Sequence, residues 1–232
     1  MKISSKRKNK YTLHICTEQG PAWQQLYRSF LIYYPMDLTK EIILENSRVQ
    51  LSPLKQEHLA DLLPIALKHP GLLRYSPSAF GTEKDLLAYI SVALMERDAG
   101  RRYPFVILDK DAGKIVGSSS YGNISLKDQR LDIGWTWLEE AAQGTGLNQN
   151  CKYLMLQYAF ETLQFEKIEF KIDSRNMQSR RAVEKIEGVQ EAELRSHTLM
   201  TDEYRRNTVI YGILRKEWPD IKHTVFKELT LD

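Results

Sequence analysis

The sequence predicts an α/β domain on a mixed sheet of about seven strands flanked by four helices. Seven short segments alternate apolar and polar residues as strands do, and four longer ones repeat their apolar residues at helical spacing. Tight turns join some consecutive strands and whole helices join others, so hairpins and crossover connections share one domain. A glycine pair, Gly144 and Gly146, stands at a strand-to-helix junction.

Each element has its own signal. Residues 1–35 read as an N-terminal extension: a basic run (Lys2, Lys6, Arg7, Lys8, Lys10), a short strand over Tyr11–Cys16, and an aromatic helix over Trp23–Tyr34 ended by Pro35. The main domain is expected over 36–220, with a C-terminal tail over 221–232. Arg48–Leu51 alternates as a strand, and Lys55–Lys68 carries Leu59, Leu62, Leu63, Ala66 and Leu67 at helical spacing. Pro64 is expected to kink or split that helix. His69–Gly81 holds Pro70, Gly71, Pro77 and Gly81 and reads as a loop. Thr82-Glu83-Lys84-Asp85 is a capping signal for a helix lined by Leu86, Ile90, Ala93 and Leu94. Strands follow over 103–108 and 114–124, joined by the turn Asp109–Gly113, and then over 131–138. After the glycine pair comes a helix over 147–163, a strand over 168–173, a helix over 176–187, and strands over 189–199 and 207–214.

Composition narrows the classes. At 232 residues, 42% hydrophobic and 27% charged, the chain has the make-up of an ordinary globular domain. A net charge of +3 gives no footprint for nucleic acid. Cys16 and Cys151 form no disulfide or zinc pattern, and the five histidines show no ligand spacing, so no metal is expected. No apolar run approaches a membrane span, and the basic N-terminus lacks the apolar stretch of a signal peptide. The expectation is a cytoplasmic protein with no membrane partner.

Gln143-Gly144-Thr145-Gly146-Leu147-Asn148 is the most informative stretch. Glycines at a helix N-terminus leave backbone N–H groups bare where the helix dipole is positive, and such a cluster binds phosphate. By itself the pattern reads equally as a plain turn. A Walker loop is excluded, because Leu147 and Asn148 stand where Lys and Ser/Thr belong. A dinucleotide fingerprint lacks its third glycine, since position 149 is Gln. A diphosphate ligand of another kind stays open.

With this order of elements, the chain resembles the GNAT superfamily of acyl-CoA-dependent N-acetyltransferases over about residues 40–218. Gln143, Gly146 and Asn148 match its Gln/Arg-x-x-Gly-x-Gly/Ala turn, with Asn148 a departure. Asn176-x-x-Ser179-x-x-Ala182, Ile133-Gly134-Trp135, Tyr158-Ala159-Phe160-Glu161 and Tyr211–Arg215 resemble the RimJ/RimL-type branch. The resemblance implies a GNAT-like acyl-CoA N-acyltransferase fold and acetyl-CoA as cosubstrate. It implies a pyrophosphate on the amides of Gln143, Gly144, Thr145, Gly146, Leu147 and Asn148. A pantetheine arm would lie along residues 134–138, where the family's fourth and fifth strands splay.

The same resemblance implies roles for single residues. Asp132 stands where relatives often carry Glu and would take the amine proton, directly or through water; alternatively it only orients substrate or pairs with Arg130. Ser179 would protonate the leaving thiolate, the more so because the superfamily's common tyrosine is Val183 here; alternatively it bonds local backbone. Asn176 reads as a helix cap, a CoA contact, or both. Arg180 and Arg181 read as solvated, the alternative being that one reaches a CoA phosphate, and Cys151 reads as a small core residue. Residues 72–76, with Arg74, would line one side of an acceptor pocket, and the last hairpin, with His197 and Tyr204, the other. The expected activity is direct acetyl transfer to a primary amine, of a protein N-terminus or a small molecule, by a monomer or homodimer. A non-catalytic acyl-CoA-binding module is the alternative.

Overall fold

The computed structural model describes residues 36, 37 and 39–230; the expected N-terminal extension lies outside them. Eight strands form one sheet: β1 (Leu44–Glu45), β2 (Val49–Pro53), β3 (Arg102–Asp109), β4 (Lys114–Ser125), β5 (Arg130–Leu138), β6 (Lys167–Asp173), β7 (Val189–Leu199) and β8 (Arg205–Leu214). Their spatial order is β1-β2-β3-β4-β5-β6-β8-β7. Every neighbouring pair is antiparallel except β5 and β6, which run parallel. The parallel pair requires a crossover, and the helix after the glycine turn supplies it.

The helices are α1 (Leu59–Lys68), α2 (Glu83–Asp98), α3 (Leu147–Gln157), α4 (Met177–Glu184) and α5 (Trp218–Thr224). Strand alternation splits the core in two. Val106 and Trp137 pack with Leu62, Ala66, Leu86 and Ile90 of α1 and α2. Phe105, Ile107, Ile133 and Phe170 pack with Cys151, Met155, Val183 and Trp218 of α3, α4 and α5.

Several expectations need correction. The sheet gains a two-residue strand, β1, and the described residues hold a fifth helix. α1 runs unbroken through Pro64; Leu62, Ile65 and Ala66 are buried around the proline, and their packing outweighs one lost backbone bond. The helix expected over 147–163 stays α-helical to Gln157 and then widens into a π-helical turn over Tyr158–Thr162. The segment read as a tail packs against the core through Ile221 and Phe226, both buried beside Trp218. Thr82 caps α2 as expected, accepting from the Asp85 N–H at 3.1 Å. β7 is the outer strand, mostly exposed, with two register shifts against β8.

Candidate active site

The sheet forks at its parallel pair. β5 and β6 are in register only where Arg130–Asp132 face Lys167–Glu169. Past that point β6 stays with β8 as far as Asp173, and β5 stays with β4 as far as Leu138. Residues 133–138 and 170–173 therefore border an opening in the sheet. A bulge adds to it: Ser118 and Ser120 of β4 oppose Trp137 and Gly134, so β5 carries one residue more than its partner. Trp135 takes the strain, at a φ of +50°. Its ring lies where a Cβ on Gly122 would come within 2.1 Å, so only glycine fits there.

At the wide end of the fork lies the glycine turn. Gly144 and Gly146 adopt φ of +76° and +84°, the left-handed region that suits glycine. Gly146 is the N-cap of α3 and brings no side-chain acceptor, so the first-turn N–H groups are uncapped. A Cβ on either glycine would meet nothing within 4 Å, which leaves room for a ligand to approach the backbone. Asn148 Oδ1 is buried there without a hydrogen-bond partner among the described residues. Gln143 braces the turn: its Nε2 donates to the Leu138 carbonyl at 3.0 Å, and its Oε1 accepts from Gln178 Nε2 at 3.2 Å. Bare amides, open space and an orphaned polar atom fit a diphosphate ligand with a polar arm.

α4 begins across the fork. Asn176 is its N-cap, and its Oδ1 accepts from the Ser179 N–H at 3.1 Å. Ser179 is half-buried, and its hydroxyl has no protein partner among the described residues. Arg180 is not solvated as expected. It donates to the Tyr211 hydroxyl at 3.0 Å and the Ser174 carbonyl at 3.2 Å, which pins α4 to β8 and to the end of β6.

Asp132 sits at the vertex of the fork and is 3% exposed. Its expected partner, Arg130, pairs instead with Glu169 at 3.4 Å. Asp132 Oδ2 accepts from Asn123 Nδ2 at 2.6 Å, and Lys171 Nζ lies 3.0 Å away. Burial pushes the carboxyl above the ordinary aspartate range, while Asn123 and Lys171 pull it down. Burial is the largest of these effects, and Asn123 and Lys171 oppose it.

Beyond Asp132, which is level with Glu169, β6 carries Lys171 and Asp173 on the same face of the sheet. Arg206 of β8 donates to the Tyr75 carbonyl at 2.9 Å, tying the loop after α1 to the last hairpin. Arg175 lies over the Tyr204 ring at 3.8 Å. His197 Nδ1 meets the Thr208 hydroxyl at 3.1 Å. The two sides expected for an acceptor pocket do come together.

Asn123, Lys171, Arg206 and Lys152 were missed in the sequence. Lys152, on the inner side of α3, is 7% exposed, and its Nζ donates to Thr136 Oγ1 at 2.9 Å. Burial lowers its ammonium to about 8. Its neighbour Cys151 is fully buried, its thiol pushed up to about 12, as befits a core residue. Among the described residues no cluster of His, Cys, Asp and Glu is arranged to hold a metal, and no helix is long and apolar enough to cross a membrane.

A mixed sheet forked beside a glycine turn at a helix N-terminus defines an α/β domain of the GNAT type. The chain belongs to the acetyltransferase (GNAT) domain family, whose model matches residues 48–189. The chain is 26% identical over 106 residues to “Putative ribosomal N-acetyltransferase YdaF” of Bacillus subtilis (strain 168), a match covering 46% of this chain and 57% of that protein. The chain thus spans little more than half the length of that curated relative. A putative acetyltransferase from T. thermophilus is 32% identical, with a TM-score of 0.73 over 81% of this chain and 96% of that one. RimJ of Mycobacterium smegmatis, in complex with CoA-disulfide, shares the fold at a TM-score of 0.66 and 22% identity, over 77% of this chain and 88% of that one. The Bacillus and Mycobacterium names are of the RimJ/RimL kind that the Asn176-x-x-Ser179-x-x-Ala182 motif resembles.

Proposed function

We propose that the protein is an acetyl-CoA-dependent N-acetyltransferase that acts on a primary amine, of a protein N-terminus or a small molecule, by direct transfer in a ternary complex. The observation that carries this reading is the open fork beside the uncapped N-terminus of α3. The amides of Gln143–Asn148 bind the pyrophosphate. Backbone groups of 134–138, lacking a partner on the β6 side, bind the pantetheine arm as an added strand would. Asn176 borders the same opening at the start of α4.

Acetyl-CoA supplies a thioester carbonyl activated for attack. The chain supplies the proton transfers. Asp132, as a carboxylate beside Lys171 and Asn123, accepts the proton of the attacking amine, directly or through one water. The N–C bond forms, the C–S bond breaks, and Ser179 Oγ passes a proton to the departing sulfur while regaining one from solvent; the proton taken up by Asp132 returns to solvent, which restores both groups. The unengaged Ser179 hydroxyl suits that role. No enzyme nucleophile is needed, and the buried, protonated Cys151 offers none.

One observation favours a second reading, a non-catalytic acyl-CoA-binding module: the Asp132 carboxylate is already engaged by Lys171 and Asn123. A mass-spectrometric screen of amines and N-terminal peptides with acetyl-CoA separates the two. Acetylated product establishes the transferase. CoA binding with no product across the panel establishes the module.

A further inference from the structure

The acceptor side of the fork holds a guanidinium, that of Arg206, with no ion-paired carboxylate among the described residues. Arg206 is half-buried, and its guanidinium donates to two neutral oxygens, the Tyr75 carbonyl at 2.9 Å and the Thr208 hydroxyl at 3.1 Å. Among the described residues, no carboxylate makes an ion pair with it. The acid nearest in effect, Asp173, is 1% exposed and committed elsewhere. Its Oδ1 accepts from the Arg175 backbone N–H at 2.9 Å and from Nε at 3.0 Å, and its Oδ2 accepts from Nη2 at 2.7 Å.

Both guanidinium groups draw on Asp173, and Asp202 adds to the support of Arg175 but not of Arg206. Burial weakens the charged form of Arg206, Asp173 supports it, and Arg175 weakens it again, the pattern of a cation short of counter-charge. A third guanidinium, Arg74, lies over the Tyr75 ring at 4.9 Å, in the loop that Arg206 holds. Arg175 lies over the same ring at 5.8 Å. The loop after α1, the β6–α4 connection and the β7–β8 hairpin meet here. None of them belongs to the glycine turn.

We propose that this arginine cluster binds a carboxylate of the acceptor, and that the protein selects peptides bearing an acidic side chain a few residues from the N-terminal amine. This rests on the acetyltransferase reading and narrows its acceptor. A guanidinium with free donors is suited to a carboxylate, which it meets in the plane of both groups. Spacing decides the kind of acceptor. Asp132, where the amine loses its proton, is level with Glu169, and Thr208 is level with Asp173, four residues farther along β6. At ~3.3 Å per residue that is roughly 13 Å. A free α-amino acid carries amine and carboxylate on one carbon and cannot span it. An extended peptide covers it in about four residues, which places the acid near the third to fifth position.

The test compares kcat/KM for a neutral peptide, for peptides with one Glu moved from the second to the sixth position, and for free glycine and glutamate. The full-length protein is expected to favour Glu at the third to fifth position by about tenfold or more, and to favour peptides over the free amino acids. In Arg206→Gln the ratio of acidic to neutral peptide should fall towards one. Arg206→Glu should turn the preference to Lys at the same position. Arg175→Gln, at an exposed side chain, should lower the same ratio and serves if the Arg206 variants do not fold. Acetylation without preference for acid, or variants that lower acidic and neutral peptides equally, overturns the proposal and leaves the transferase standing. Preference for free glutamate over every peptide overturns the spacing argument and with it the proposal. No acetylation of any amine overturns both readings together.

Discussion

α3 and α4 both leave the forked part of the sheet, one after β5 and one after β6, and Gln143 of the glycine turn before α3 is linked to Gln178 in the first turn of α4. They are nevertheless finished in opposite ways. α3 starts at Gly146, which is left-handed and offers no side-chain acceptor. α4 starts at Asn176, whose side chain takes up the Ser179 N–H. One terminus leaves its donors without a side-chain acceptor, and the other satisfies a donor from within and so fixes where Ser179 sits. Helix geometry is common to both, and the residue before the first turn decides whether the end binds or is merely built.

That contrast is broken most forcefully at the chemistry. Ser179→Ala, and Asp132→Asn at the fork, are expected to lower kcat by about tenfold to a thousandfold, since general acid–base help is typically worth ~10²–10⁴. CoA affinity, followed by calorimetry, should hardly change. A variant that keeps full kcat has a residue that serves structure or binding alone. The acid limb of the kcat/KM profile gives a second measure of Asp132. Burial raises its carboxyl above the ordinary 3.8, so the active carboxylate is present above that raised value and lost as pH falls through it. Lys171→Met removes a charge that lowers it, so the limb should move to still higher pH.

α3 also holds the buried Lys152, for which α4 has no counterpart. A fall from the ordinary 10.5 to about 8 corresponds to about 3 kcal/mol against the folded state. Between these values the unfolded chain binds more protons, so stability should rise with pH across that window, and the cost is fully present below it. Lys152→Met, of similar length, should therefore gain up to about 3 kcal/mol at pH 7 in urea unfolding, and should lose the alkaline rise. Destabilisation at pH 7 would show that the bond to Thr136 outweighs the buried charge.

The remaining two substitutions act on the helix ends themselves. Gly146→Glu places a carboxylate and a strained left-handed residue beside the bare amides, and CoA affinity should fall tenfold or more, about 1.4 kcal/mol. Unchanged affinity in a folded variant would move the ligand elsewhere. Asn176→Ala should cost about 1 kcal/mol of stability, seen as a fall in Tm of roughly 2–4 °C. If CoA affinity holds in that variant, Asn176 is a cap alone; if it drops, Asn176 is a cap and a contact.

What could be read from the sequence was local. Alternation and turn residues placed β2 to β8, the glycine pair placed the start of α3, and Asn176 placed the start of α4, because each depends on neighbours within a few positions. The two residues of β1 carry no periodicity and exist only by pairing with β2. Trp218, Ile221 and Phe226 are too few to show a pattern, yet they are buried together. The partners of Asp132 come from 9 residues before and 39 residues after it, which no local spacing encodes. Lys152 looked like any helix lysine until its face was known to be the inner one.

The outer strand β7 bears on how copies of this protein meet. A long free strand invites another chain to pair along it. Here the invitation is withdrawn twice. The strand slips register between Gln190 and Ala192 and again between Leu194 and Thr198, with Ser196 turned to a φ of +54°. Glu191, Glu193 and Arg195 stand charged along it. Neither a straight run of backbone donors nor an uncharged face is offered. Edge-to-edge pairing of copies along β7 is disfavoured as a result, although Val189, Leu194 and Leu199 are exposed there.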